Sequence, residues 1–256
     1  MSEILVSVVI PSLNSRRYIA EAIDSVLLQT YKPIECIVVD GGSTDGTIDV
    51  LKNYGDRIRW ISEKDRGQSS AINKGSRRSS GEVWTWIGAD DILFSYAVEK
   101  AVKRFADEPK VGLVYGDIII IDDEGNEKEY VQAGSLSLRR LLNENQSITQ
   151  PGSFYRADKV KQVGYLDEEL HYTMDYDLFI KLMKISEASY IEQPLAKFRM
   201  SGYNKSSRRG KLMSSVEGFL VAQRHGGRLF CHENLARAKA IVRYFYGQIL
   251  RSGYGK

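Results

Sequence analysis

The sequence predicts an α/β fold in which a mostly parallel sheet is flanked by helices and followed by a C-terminal helical segment. Three observations predict it. Short β-branched apolar runs recur as far as Ile87, segments of helical periodicity separate them, and most runs stop at a loop carrying glycine or acidic residues.

Ile4–Ile10 (ILVSVVI) is the first run; the breakers Pro11-Ser12-Leu13-Asn14 end it, as expected of a strand buried on both faces. Ser15–Gln29 spaces Ile19, Ala22, Ile23, Val26 and Leu27 for a helix. After Pro33, Glu35–Val39 reads as a second buried strand and stops at Asp40-Gly41-Gly42-Ser43-Thr44-Asp45-Gly46. A helix (Thr47–Tyr54), strand (Ile58–Ile61), helix (Ser69–Ser79) and strand (Glu82–Ile87) follow. Strands separated by helices of this length predict parallel pairing through right-handed crossovers. Ligands of such sheets bind beyond the carboxyl ends of the strands, so loops 11–14, 40–46, 62–68 and 88–91 are the places to look. Further on, the pattern predicts a helix at Tyr96–Ala106 and a long strand at Val111–Ile121. A turn at 122–126, a returning strand at 127–133 and a helix at Asp175–Ile185 come next. Val216–Arg224 and Leu235–Leu250 read as amphipathic helices.

Composition narrows the class. The 256 residues are 43% hydrophobic and 27% charged, the balance of a folded globular chain. No apolar run approaches the roughly 18 residues of a membrane-spanning helix, and the N-terminus lacks the pattern of a signal peptide. Two cysteines, Cys36 and Cys231, predict a reducing, cytoplasmic setting, and three histidines argue against a histidine-rich metal site. The net charge of +3 conceals an asymmetry. From Lys197 to Lys256 there are 13 Lys and Arg against Glu217 and Glu233, a net of +11, which leaves the preceding 196 residues at −8. An acidic body with a basic tail suits an anionic partner; a solvated basic helix face is the plainer alternative.

Four loops hold candidate chemistry. At Asp40-Gly41-Gly42-Ser43-Thr44, a carboxylate precedes glycines that let backbone approach a ligand, as a nucleoside site would need. The same residues could simply turn a strand into a helix capped by Ser43. The glycine spacing is not the GxGxxG of dinucleotide-binding folds. Gly88-Ala89-Asp90-Asp91 crowds two acids after an apolar strand, a costly placement without a cation. Carboxylates suit Mg²⁺ or Mn²⁺, although Asp91 could instead favour the start of the next helix. Glu63-Lys64-Asp65-Arg66-Gly67-Gln68 mixes both charges at a third strand end. In Met174-Asp175-Tyr176-Asp177 the two acids face different ways on a helix, so one can serve as a base while the other caps. Three acid-bearing loops at successive strand ends make coincidence a poor account.

As an ensemble, these motifs resemble family 2 glycosyltransferases, inverting enzymes of the nucleotide-sugar-dependent, Rossmann-like GT-A fold. The matching segments are Ser7–Asn14, Val38–Thr47, Ser62–Gly75 and Trp86–Asp91, then Gln150–Phe154 and His171–Leu178, the last two similar to a bacterial branch of the family. The resemblance covers about residues 4–205, which implies a glycosyltransferase domain over 1–205 and a basic amphipathic extension over 206–256.

It also implies roles. Pro11, Ser12, Asn14, Gly42, Lys64, Gly67, Gln68 and Asn73 fall in segments that bind the donor. Asp40 is similar to the acid that binds the nucleotide base, and Asp65 to a direct nucleoside contact. Asp90-Asp91 resembles the DXD-type motif, with Asp91 as the ligand of Mg²⁺ or Mn²⁺ and Asp90 towards ribose or sugar. Asp175 is similar to the catalytic base, which takes a proton from an acceptor hydroxyl as it attacks the anomeric carbon. The metal stabilises charge on the departing diphosphate.

The chain departs from the family where relatives often carry a histidine and this sequence has Ser201; Arg199, Asn204 and Lys205 are the candidates to close the site. The QxxRW motif of processive synthases is missing, so transfer of a single sugar is expected. The implied partners are a nucleotide-sugar donor, with UDP first, and a saccharide or polyprenyl-diphosphate-linked acceptor. In the tail, Phe219, Phe230, Tyr244, Phe245 and Tyr246 are interleaved with arginines, which suits either peripheral binding to the inner face of the cell membrane or a helical cap over the sheet. A non-catalytic sugar-binding scaffold on the same fold is the principal alternative. A nucleotidyltransferase or dehydrogenase lacks its phosphate loop or fingerprint here, and no nucleic-acid motif accompanies the basic tail.

Overall fold

The computed structural model describes residues 3–143, 150–200 and 208–228. In chain order the elements are β1 (Val6–Ser12), α1 (Ile19–Leu27), β2 (Ile34–Asp40), α2 (Thr47–Lys52), β3 (Arg59–Ser62), α3 (Gln68–Arg78), β4 (Val83–Trp86) and β5 (Ile92–Leu93). There follow α4 (Ala97–Asp107), β6 (Val111–Ile121), β7 (Glu127–Val131), α5 (Leu138–Asn143), β8 (Ser153–Arg156), α6 (Ala157–Gln162), α7 (Met174–Met183), β9 (Glu187–Arg199) and α8 (Arg208–Arg224).

The strands form one sheet in the order β3-β2-β1-β4-β8-β6-β9-β5, with β7 paired to β6. Parallel pairing joins β1 through β4, as the alternation predicts, because each connection carries a crossover helix or turn. Beyond β4 the sheet is mixed: β8 runs antiparallel to β4 and β6, β7 to β6, and β5 to β9, while β6 and β9 are parallel. The strands of the N-terminal half thus pair only in parallel among themselves, and the C-terminal half mixes both directions.

Alternation along the central strands fills two cores. Val6, Val8 and Ile10 of β1, with Cys36 and Val38 of β2, pack beneath α1 and α4. Val9, Ile37 and Val39 face the other way, towards α3 and α7. On that second side Trp86 stacks on Tyr155 (5.3 Å, 10°) and Tyr155 on Phe179 (6.2 Å, 16°), a ladder that seats α7 against β4 and β8.

The expected helix at Val216–Arg224 is the second half of α8, which packs into this core through Val221. Leu235–Leu250 lies outside the described residues, as do Ser201, Asn204 and Lys205. Among the described residues, no helix is long and apolar enough to cross a membrane.

Candidate active site

Register aligns the carboxyl ends of the first strands: Ser12 lies beside Asp40, and Asp40 beside Ser62. Past this edge opens a cavity of about 700 Å³. Its walls come from loop 11–18, from residues 65–71 at the start of α3, from Gly88-Ala89-Asp90, and from His171 and Tyr172 ahead of α7. Of the residues singled out from sequence, Pro11, Ser12, Asn14, Asp65, Gly67, Gln68 and Asp90 line it. Asp40, Gly42, Lys64, Asn73, Asp91, Asp175 and Arg199 are not among its lining residues.

The floor is fixed by hydrogen bonds between loops. Asn14 adopts a left-handed φ of 51°, a conformation asparagine tolerates better than most residues. From there its N–H reaches Ser43 Oγ (2.7 Å) and its Oδ1 accepts from Thr44 N (3.0 Å). Beside it Ser12 is 4% exposed, and its hydroxyl has no partner among the described residues. A buried hydroxyl lining a cavity is a group that a polar ligand would satisfy.

Asp40 is fully buried, and its carboxylate is engaged by its own turn and by Ser62 of β3. Oδ2 accepts from Gly42 N (3.0 Å), Ser43 N (2.9 Å) and Ser62 Oγ (2.7 Å), and Oδ1 accepts from Ser43 Oγ. Asp40 therefore holds the loop beneath the cavity, while Asp65, like Asp90, lines it. Asp65 Oδ1 accepts from Gly67 N (2.8 Å), while a side chain on Gly41 would come within 2.7 Å of Asp65 Oδ2. Glycine at 41 is what lets the two loops close on each other. Asn73, likewise buried, holds α3 to the segment before α7: its Nδ2 donates to Leu166 O (2.9 Å) and Glu168 Oε1 (3.0 Å). Lys64 is exposed outside the cavity wall.

At the end of β4, Gly88 again makes room. A Cβ there would lie 2.6 Å from Asp91 Oδ2 and 2.8 Å from Asp90 Oδ1. Burial raises the pKa of both acids, and the Asp90 charge pushes Asp91 up further. Two crowded, desolvated carboxylates at a cavity edge are a donor set that a hard divalent cation would stabilise. Among the described residues no group of three or more His, Cys, Asp or Glu side chains could hold a metal by itself. A cation at Asp91 would thus take its other ligands from water and ligand oxygens.

Arg199 supports this loop from behind and does not line the cavity. It is 1% exposed; its N–H donates to Asp91 Oδ1 (3.1 Å) and its Nε to Asp90 O (3.0 Å). Nη1 reaches the carbonyls of Asp122 (2.9 Å) and Asp123 (3.0 Å), and Nη2 pairs with Glu21 (2.5 Å). The guanidinium also lies 4.5 Å from the ring centre of Tyr18, a cavity residue.

The two acids of α7 separate cleanly. Asp177 is fully buried, bonded to His225 Nε2 (2.7 Å) and paired with Lys181 Nζ (2.6 Å). Asp175 is half-buried in the first turn, three residues past the cavity residue Tyr172. Asp177 is thus held in the core by two basic partners, while Asp175 Oδ1 accepts from Tyr176 N (2.8 Å) at the start of the helix.

Sequence reasoning assigned no role to Arg17, Tyr18, His171 or Tyr172, all of which line the cavity. His171 and Tyr172 sit in a quoted motif, so proximity to Asp175 was their available signal. Nothing local marks Tyr18, which is placed through Arg199.

The family model for glycosyl transferase family 2 matches residues 7–164. The chain is 35% identical over 209 residues to an uncharacterized glycosyltransferase of Rickettsia conorii, a match covering 76% of this chain and 34% of that relative, so the chain spans about a third of its length. Among solved structures it is similar to S. aureus TarS 1-349 in complex with UDP-GlcNAc (TM-score 0.66, 18% identity, 94% of this chain and 71% of that one). It is also similar to the mannosyltransferase PcManGT of Pyrobaculum calidifontis in complex with GDP-Man and Mn²⁺ (TM-score 0.68, 17% identity, 98% and 76%). At these identities the structural likeness establishes the fold.

Proposed function

This chain belongs to glycosyl transferase family 2, and we propose that it moves a single sugar from a nucleotide-sugar donor to an acceptor hydroxyl with inversion at the anomeric carbon. The observation that carries this is the cavity beyond β1 and β4, where the Ser12 hydroxyl, unpartnered among the described residues, the Asp65 carboxylate and Asp90 line a wall beside the N-terminus of α7. A nucleoside finds hydrogen-bonding groups in Ser12 and Asp65, and ring faces in Tyr18 and Tyr172.

Asp175 acts as the general base. It takes the acceptor hydroxyl proton as that oxygen bonds to the anomeric carbon, while the bond from that carbon to the diphosphate oxygen breaks and the nucleoside diphosphate leaves. One displacement inverts configuration and needs no carboxylate nucleophile. Asp91, with Asp90 beside it, would hold Mg²⁺ or Mn²⁺, and the bound cation supplies charge neutralisation at the diphosphate. The protein's own part is to fix the two acids, through Gly88 and Arg199, at the edge of the cavity. We propose UDP as the nucleotide and a saccharide or polyprenyl-diphosphate-linked saccharide as the acceptor, met at an anionic membrane surface through the basic C-terminal segment.

Donor hydrolysis tests the reading without knowledge of the acceptor. With UDP-GlcNAc or GDP-mannose and Mn²⁺, proton NMR should show the first-released sugar in the inverted anomeric configuration. Asp175→Asn should suppress release while preserving nucleotide binding. Release with retained configuration contradicts the mechanism, and nucleotide binding without turnover on either donor or added saccharides supports a non-catalytic scaffold.

A further inference from the structure

Helix α8 belongs to the basic C-terminal part of the chain, yet its one acidic residue, Glu217, points into the segment that precedes α7. Oε1 of Glu217 accepts from His171 N (3.1 Å); Oε2 accepts from Tyr172 N (2.8 Å), Thr173 N (3.2 Å) and Thr173 Oγ1 (3.3 Å). Three successive main-chain N–H groups converging on one carboxylate make an anion-binding nest, here filled from within the protein. His171 and Tyr172 line the cavity, and Asp175 lies two residues past Thr173. The carboxylate thus fixes the backbone from which both the cavity wall and the α7 acid project.

Three further contacts hold α8 in place. Arg224 Nη1 pairs with Asp167 Oδ2 (2.6 Å), His225 Nε2 meets Asp177 Oδ1 (2.7 Å), and Val221 is buried in the core shared with Leu178 and Phe179 of α7. Those contacts bind the helix to the body of the domain. Glu217 differs from them in bonding the peptide groups that start the turn carrying Asp175. A carboxylate there also complements the positive end of the α7 dipole, which the two first-turn acids share.

We propose that Glu217 is a positioning residue for Asp175, so that α8 is part of the working site. This rests on the reading of Asp175 as the proton acceptor. Positioning errors near 1 Å can cost about 100-fold in turnover.

The test uses the full chain with UDP-GlcNAc and GDP-mannose, and compares Glu217→Ala and Glu217→Gln with Val221→Ala, which weakens the docking of α8 without touching the nest. Glu217→Ala should lower kcat for donor turnover about 10- to 100-fold, with KM for the donor within about twofold of wild type. Glu217→Gln, which keeps an accepting oxygen, should recover part of the loss. Val221→Ala should lower Tm comparably and leave kcat within about threefold, because it removes packing alone. Amide hydrogen exchange across 171–177 should quicken in Glu217→Ala beyond any change in Val221→Ala. Equal losses of kcat and equal exchange in the two alanine variants would overturn the proposal. A wild type that neither binds nor turns over these donors defeats the transferase reading itself, and the exchange comparison then decides separately whether Glu217 holds the segment.

Discussion

The main-chain N–H of Arg199 donates to Oδ1 of Asp91 across 3.1 Å, joining the end of β9 to the acidic loop after β4. From the same residue the guanidinium spans Asp90 O, Asp122 O, Asp123 O and Glu21. A planar five-donor group satisfies these directions at once; an ammonium does not. Arg199→Lys should therefore strand part-buried carbonyls and cost about 1–2 kcal/mol in stability, measured by urea denaturation. Metal-dependent nucleotide binding should weaken with it, since the Asp90-Asp91 loop loses its backing. Unchanged stability would mean that the lysine finds equivalent partners.

Gly88 separates a positional effect from a chemical one. Gly88→Ala adds no ionisable group, yet its Cβ meets both carboxylates at under 3 Å. Nucleotide affinity in the presence of Mn²⁺ should fall about 10- to 100-fold, the range seen when groups that orient metal ligands are disturbed. Affinity without metal should change little, and calorimetric titration of the variant reads both.

Asp40 distinguishes a loop-shaping acid from a base-binding one. Asp40→Asn replaces an acceptor of four hydrogen bonds with an amide that must turn an N–H towards donors. The structure predicts a loss of about 1–3 kcal/mol in stability. A variant with wild-type Tm and selectively lost nucleotide affinity would instead support the base-binding role implied by family resemblance.

The Asp177 cluster sets an acid limit. Burial raises the Asp177 pKa, but hydrogen bonds from His225 and Lys181 outweigh it, so the folded-state value lies below the usual carboxylate range. A depressed pKa contributes stability in full above the unfolded value near 4 and loses it as pH falls through the folded value. The advantage of wild type over Asp177→Asn in urea denaturation should accordingly be complete at pH 5 and shrink as the pH drops below about 4. An advantage that grows on acidification would contradict the assignment.

Strands β1 to β4 and helices α1 and α3 were legible because each is written locally, in a β-branched run or a helical period with breakers at its ends. Strands β5 and β8 were not, since Ile92-Leu93 is only two residues long and Ser153–Arg156 contains no β-branched residue, and both exist through pairing with β9, β4 and β6. The site divides in the same way. Ser12, Asp65 and Asp90 stand at strand ends that the alternation alone locates. The separate fates of Asp175 and Asp177 depend on His225, 48 residues away, and the role of Arg199 on partners at 21, 90, 122 and 123. Glu217 meets the α7 segment across 44 to 46 residues, with no motif to announce it.

The most direct measurement of the central claim is isothermal titration of the purified chain with UDP, GDP and dTDP, each with and without Mn²⁺, in wild type and Asp91→Ala. The account predicts selective, metal-dependent binding of one nucleotide, UDP, abolished in Asp91→Ala while the Tm is preserved. Folded wild-type protein that binds none of the three, or binds equally well without metal and with Asp91 replaced, would contradict it.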